Sequence, residues 1–153
     1  MKFSAAIMGL ALLATGTSAQ KAIVKNNCKA TVYVQSVPFD GSAKGPLTTL
    51  TTGKTFTEDL RKSGSTVKIA ITKTLNDPLF FGYSFSKSDD YAYYELNTQW
   101  GNPFAKSHNI LTPGEGCEKF DCPSGKADCY STPAHKKVYG CPQPVDLKAT
   151  LCA

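Results

Sequence analysis

Three carboxylates, Asp89, Asp90 and Glu95, stand within a dozen residues of four large rings, Tyr91, Tyr93, Tyr94 and Trp100. Two kinds of chemistry use such a set. Glycoside hydrolysis needs two carboxyl groups roughly 5–10 Å apart, one of them protonated. Recognition of a sugar or a protein needs exposed ring faces beside a few orienting polar groups. For the carboxylates the plainest reading is a solvated strand edge, with carbohydrate binding next and glycosidase chemistry last. For the rings it is core packing, because aromatics dominate small cores and Phe80, Phe81, Tyr83 and Phe85 lie close by in sequence. Strand alternation nevertheless puts Tyr91 and Tyr93 on one face and Tyr94 on the other. Two or three rings left outside beside carboxylates would form a binding patch.

No other segment offers reaction chemistry of comparable density. Ser107-His108 invites a triad reading, but no Gly-x-Ser-x-Gly elbow accompanies it, and a surface-loop histidine is the simpler reading. His135 lies in a polar run, Pro133 to Lys137. There is no Gly-rich phosphate loop, and no cofactor is expected.

Six cysteines, Cys28, Cys117, Cys122, Cys129, Cys141 and Cys152, all follow a start with the pattern of a secretory signal. Met1-Lys2 is positive, Phe3 to Leu13 is nearly all apolar, and Thr17-Ser18-Ala19 supplies the small residues before a cleavage point. The expected leader is 1–19 and the expected single domain 20–153. An even cysteine count behind such a leader implies three disulfides made in an oxidising compartment. Zinc is the rival use of these thiols, but no C-x2-C pair occurs and neither histidine has ligand spacing. The apolar start is too short to span a bilayer, and no second apolar run or hydrophobic tail follows, so no membrane anchor is expected. The formal charge of +5 comes from scattered lysines rather than a basic stripe, which argues against nucleic acid as a partner.

The elements that would position these groups are short strands. Ala22 to Val24, Thr31 to Val37, Leu79 to Phe85, Tyr91 to Leu96 and Asp146 to Cys152 read as strands from their β-branched and aromatic content or their alternation. Thr66 to Lys73 alternates as well, with Val67, Ile69 and Ile71 on one side and Lys68 and Thr72 on the other. Turn residues such as Asp40-Gly41, Ser63-Gly64 and Gly101-Asn102-Pro103 separate them. No helical stripe, heptad or repeat appears. The pattern predicts an all-β antiparallel sandwich. The Gly/Pro/Cys-rich region from Leu111 to Pro144 is expected to be crosslinked onto it, because some 30 turn-rich residues bury little alone.

Several segments, taken in order, resemble thaumatin-like proteins. Lys25-Asn26-Asn27-Cys28 with Thr31-Val32-Tyr33 is similar to that family's opening strand, and Leu50 to Thr57 to its second-strand motif. Asp90 to Leu96 and Gly101-Asn102-Pro103 resemble its acidic strand and following turn. Cys117 to Cys122, Cys129-Tyr130-Ser131, Cys141-Pro142 and Asp146 to Cys152 resemble its closing region. The small size and the Asp-Tyr-Tyr-Glu pattern look closest to the fungal antigenic group, the Blastomyces yeast-phase-specific protein family.

This resemblance implies a thaumatin-like antiparallel β-sandwich, stapled by disulfides, with a turn-rich C-terminal region. It implies the pairs Cys28–Cys152, Cys117–Cys141 and Cys122–Cys129, with a partner swap among the last four left open. It also implies an acidic cleft, but here in altered form. Glu95 falls where the family has an aspartate, Lys73 stands in for an arginine, and Gly82-Tyr83 replaces an expected glutamate. Lysine is a point charge and lacks the planar fork that grips a carboxylate at two points. The expectation is therefore a secreted or wall-associated protein that binds and does not catalyse. Its candidate surface is Lys73, Asp89, Asp90, Tyr91, Tyr93, Glu95 and Trp100. Its expected partner is cell-wall polysaccharide or a host surface or extracellular-matrix protein, met by a monomer. A weakly glucanolytic β-glucan binder and a secreted effector or antimicrobial protein are the alternatives.

Overall fold

The structure, a computed structural model, describes residues 20–153. The expected leader therefore lies outside the described residues. Among them no helix is long and apolar enough to cross a membrane.

Among the described residues eleven strands form two sheets. The five-stranded sheet runs β4 (Thr55–Asp59), β1 (Lys21–Asn26), β11 (Leu147–Leu151), β8 (Asn109–Thr112), β9 (Phe120–Cys122). The six-stranded sheet runs β10 (Tyr139–Pro142), β7 (Tyr91–Asn97), β6 (Leu79–Phe85), β5 (Ser65–Ala70), β2 (Val32–Pro38), β3 (Thr48–Leu50). Between these strands every pairing is antiparallel except β1 with β11, the first and last of the eleven, which lie parallel with Val24 opposite Ala149.

Alternation explains the layers. Val24 on β1, Val32 and Val34 on β2, Val67 and Ile69 on β5, Phe81 on β6, Tyr94 and Leu96 on β7, and Leu147 and Leu151 on β11 are all fully or almost fully buried between the sheets. Burying one such side chain contributes roughly 1.5–3 kcal/mol. The predicted strand Thr66 to Lys73 stops early, at Ala70. Ile71 is 48% exposed, because the chain turns at Thr72–Leu75, where Leu75 N–H donates to Thr72 O and Leu75 takes a left-handed φ of 53°.

The disulfides are Cys28–Cys152, Cys117–Cys141 and Cys122–Cys129, the pairs that the resemblance implies. Two buried asparagines frame the first. Asn26 donates to Ala30 O and Leu50 O and accepts from the Cys28 N–H. Asn109 donates to Phe104 O and the Tyr130 hydroxyl and accepts from the Cys152 N–H. Both amides are nearly saturated, as buried polar groups must be. The turn-rich region is tied on by its sulfurs and by β8, β9 and β10, each of which joins a sheet.

Candidate functional site

The outward face of β7 carries Tyr91, Tyr93 and Glu95, while Ala92, Tyr94 and Leu96 point into the core. Tyr91 and Tyr93 are each 41% exposed, with ring centroids 6.4 Å apart and planes inclined by 23°. Both rings lie against Gly140 of the neighbouring β10: a β-carbon there would stand 3.0 Å from Cε1 of Tyr93 and 3.6 Å from Cδ1 of Tyr91. On the other side, β6 offers Gly82 opposite Glu95 and Ser84 opposite Tyr93. Asn97 Nδ2 donates to Glu95 Oε2 at 3.2 Å, steadying the carboxylate.

These groups form a groove of about 200 Å³, with Gly82, Ser84 and Glu95 as floor and Tyr93, Phe39, Lys136 and Val138 as walls. A second, larger groove of about 550 Å³ continues across the same sheet. Thr66, Lys68 and Phe80 form its floor, and Leu75, Pro78 and Trp100 one wall. Phe39 belongs to both. Phe39 is 56% and Trp100 60% exposed, high for such large apolar rings. Lys68 Nζ sits 5.7 Å above the Phe80 ring, within cation–π reach. Gly101 allows Trp100 its position: it has φ +143° and backs so closely on the β5–β6 turn that a β-carbon would meet Asp77 O at 2.3 Å.

The candidate surface read from sequence is thus divided. Tyr93 and Glu95 share the first groove, with Tyr91 stacked beside them, and Trp100 walls the second. Asp90 is engaged in the β6–β7 turn, where the hydroxyls of Ser86 and Ser88 donate to its carboxylate and hold it below the usual carboxylate range. Asp89, at a left-handed φ of 55°, lies 3.8 Å from Lys62 Nζ in a separate depression with Gln20, Asp59 and Gln143. Lys73 sits exposed in the β5–β6 turn and lines neither groove. The lysines of the grooves are Lys68 and Lys136.

A two-carboxylate arrangement is not formed by Glu95 with Asp89 or Asp90. Tyr91 to Glu95 alone spans four residues of extended strand, about 13 Å. Glu58, which sequence reasoning missed, faces the core from β4 and serves the fold. It accepts from the hydroxyls of Ser36 (2.7 Å) and Tyr83 (3.3 Å) on the other sheet, and Arg61 Nε lies 3.5 Å away. Burial pushes the Tyr83 hydroxyl well above its usual pKa. His108 bonds Asp121 at 2.6 Å on the surface, and among the described residues no serine hydroxyl bonds it. Among the described residues no group of three or more His, Cys, Asp or Glu is placed to hold a metal ion.

Phe39, Lys136 and Val138 also escaped the sequence reading. Phe39 precedes the Asp40-Gly41 turn, and Val138 follows the only adjacent lysine pair. A large apolar residue beside a turn is the available signal, but sheet order is needed to bring the three together.

Residues 9–153 match the family model described as Blastomyces yeast-phase-specific protein. The crystal structure of the protein elicitor MoHrip2 from Magnaporthe oryzae is 64% identical with a TM-score of 0.87, covering 88% of this chain and 100% of that one. The thaumatin-like xylanase inhibitor TLXI shares the fold at a TM-score of 0.63 and 14% identity, covering 86% of this chain and 99% of that one. No curated protein matches. With the two sheets, the three disulfides and a family match over nearly the whole length, the chain belongs to the Blastomyces yeast-phase-specific protein family, and its fold is thaumatin-like.

Proposed function

We propose that this protein acts outside the cell, in an elicitor role, by binding an extracellular ligand along the outward face of the six-stranded sheet and without turning it over. The observation that carries this reading is the pair of grooves joined at Phe39, which aligns Tyr93, Phe39 and Trp100 as exposed rings across four strands. Three strand spacings separate β7 from β2, so the face is about 14 Å wide there. The charges along it balance, Lys68 and Lys136 against Glu95 and Asp77. An uncharged cell-wall polysaccharide suits such a surface, with rings stacking on sugar faces and Thr66, Ser84 and Glu95 meeting hydroxyls. Each groove is lined by a single carboxylate, Glu95 in the first and Asp77 in the second. This supports binding over hydrolysis, which needs a pair in one place.

The test is retention on insoluble β-1,3-glucan together with assay of released sugar. Retention without release is expected. Release of sugar, or passage of the protein straight through, would sink this reading. A second reading, attachment to a host surface protein, draws on the 64% identity to a protein elicitor. Binding to immobilised extracellular-matrix protein, lost in Tyr93→Ala, would favour it.

A further inference from the structure

Threonine hydroxyls that line neither groove point to a modification site. The segment Thr48-Thr49-Leu50-Thr51-Thr52-Gly53-Lys54-Thr55-Phe56-Thr57 carries six threonines and follows Pro46. Threonine-rich stretches with proline are a composition of O-glycosylated chains. The segment forms β3, the turn after it and most of β4. β3 is an edge strand of one sheet and β4 an edge strand of the other, so the segment borders one free edge of each sheet.

Exposure and bonding separate these threonines from the rest. Thr52 donates to Cys28 O, Thr72 and Thr74 bond each other, and Thr112 and Thr132 accept backbone N–H groups. Thr31, Thr48, Thr66, Thr98 and Thr150 are half-buried. Among the described residues, the threonines that are exposed and have no hydrogen bond at Oγ1 are Thr49, Thr51, Thr55 and Thr57. All four fall within nine residues of chain. Thr55 and Thr57 stand on the outward face of the five-stranded sheet, opposite Lys25 and Ile23 of β1. Thr49 stands opposite Tyr33 on the outward face of the other sheet.

We propose that Thr49, Thr51, Thr55 and Thr57 are an O-glycan acceptor site, each Oγ1 taking a hexose from a phosphate-activated sugar donor. In the transfer, Oγ1 bonds the anomeric carbon, that carbon's bond to the donor phosphate oxygen breaks, and the hydroxyl proton passes to a base of the transferase. No oxidant or reductant enters. Sugars here would shield two strand edges whose unpaired N–H and C=O groups otherwise invite pairing with another chain, a hazard that proteins blunt with charges, proline or covering structure. β3 itself carries no charge. The inference rests on the extracellular reading to the extent that the chain must traverse a secretory route.

The full chain is expressed in a yeast host and collected from the medium, in parallel with a sample in which the host's own secretion leader precedes Gln20. Absence of only the first sample from the medium would count against the chain's own leader and leave the acceptor site to be decided on the second. Tryptic peptides Gly45–Lys54 and Thr55–Arg61 are then weighed. Hexose-sized increments on these two peptides are expected, with none on the peptides holding Thr98, Thr132 or Thr150. Unmodified Gly45–Lys54 and Thr55–Arg61 in secreted protein, or increments confined to other peptides, would overturn the proposal. In a variant with all four threonines changed to Val, the intact mass should fall to that of the sequence. The full increment surviving in that variant would also overturn it. If the variant fails to fold, the peptide map of the unmutated protein decides.

Discussion

Glu95 lies over Gly82 on the adjacent strand: a β-carbon at position 82 would stand 3.2 Å from its Cγ and 3.3 Å from its Oε1. The thaumatin-like resemblance leads one to expect a glutamate where this chain has Gly82-Tyr83. The glycine opens room that the side chain of Glu95 occupies, so the groove has one carboxylate lying flat on its floor. Gly82→Ala should lift Glu95 by a few tenths of an ångström and strain its bond with Asn97. Retention on insoluble β-1,3-glucan should drop several-fold while the melting temperature moves by only a few degrees, the scale of about 1 kcal/mol in a domain of this size. Unchanged retention would mean that the carboxylate position does not matter.

The joined grooves make a prediction about both ends of the face. Tyr93→Ala and Trp100→Ala should each weaken binding by more than about 1 kcal/mol, roughly fivefold or more, as for other well-seated aromatic anchors. Lys73→Ala and Asp89→Asn should leave it unaltered, since neither residue reaches the grooves. If Tyr93→Ala acts and Trp100→Ala does not, the ligand occupies the smaller groove alone.

Much of this layout was legible in the residues, and the misses have physical causes. Period-two alternation correctly divided Tyr91 and Tyr93 from Tyr94, because β7 has one face in the core and one in water. The same rule ran too far along β5. Ile71 continues the pattern, yet the chain has already turned, and a positive φ at Leu75 is not a feature its side chain advertises. Local pattern also says nothing about which strands are neighbours. Phe39 follows β2 and Val138 precedes β10, about a hundred residues apart, and only the sheet order brings them to one groove. The parallel pairing of β1 with β11 was invisible for the same reason.

Glu58 concentrates the polar contacts between the sheets. Its side chain is 13% exposed and accepts from two hydroxyls while paired with Arg61, whose Nε has no hydrogen bond otherwise. Removing the acceptor leaves a half-buried guanidinium unpaired and takes one partner each from the Ser36 hydroxyl, which keeps Ser65, and the Tyr83 hydroxyl, which keeps the Arg61 N–H. Glu58→Ala should therefore cost about 2–4 kcal/mol, measured by urea unfolding. A loss below about 1 kcal/mol would show that water replaces the carboxylate there.

Asp90 supplies a pH test. The Ser86 and Ser88 hydroxyls favour its ionised form, so its folded pKa lies below the unfolded value of about 3.9. A depressed carboxyl stabilises the fold above the unfolded pKa, and that contribution disappears as pH falls from about 4 through the folded value. Carboxyl chemical shifts followed by NMR should place the Asp90 midpoint below that of a free aspartate. Ser86→Ala or Ser88→Ala should bring it back up. A midpoint at or above 3.9 in the unmutated protein would contradict the hydroxyl contacts.

The crosslinks rank themselves by the chain they enclose. Cys28 and Cys152 are 124 residues apart, Cys122 and Cys129 only 7. If disulfides act by restricting the unfolded chain, the first contributes about 5 kcal/mol and the second about 2.5. The long one has a second role, since it joins the segments next to β1 and β11, the parallel pair at the centre of the five-stranded sheet. Replacing Cys28 and Cys152 together by Ser should then cost about 3–5 kcal/mol and loosen β1 and β11 first, seen as early hydrogen exchange at Val24 and Ala149. The same change at Cys122 and Cys129 should cost less and leave those amides protected. Equal losses in the two variants would mean that native contacts around each sulfur pair, rather than the length of enclosed chain, set their worth.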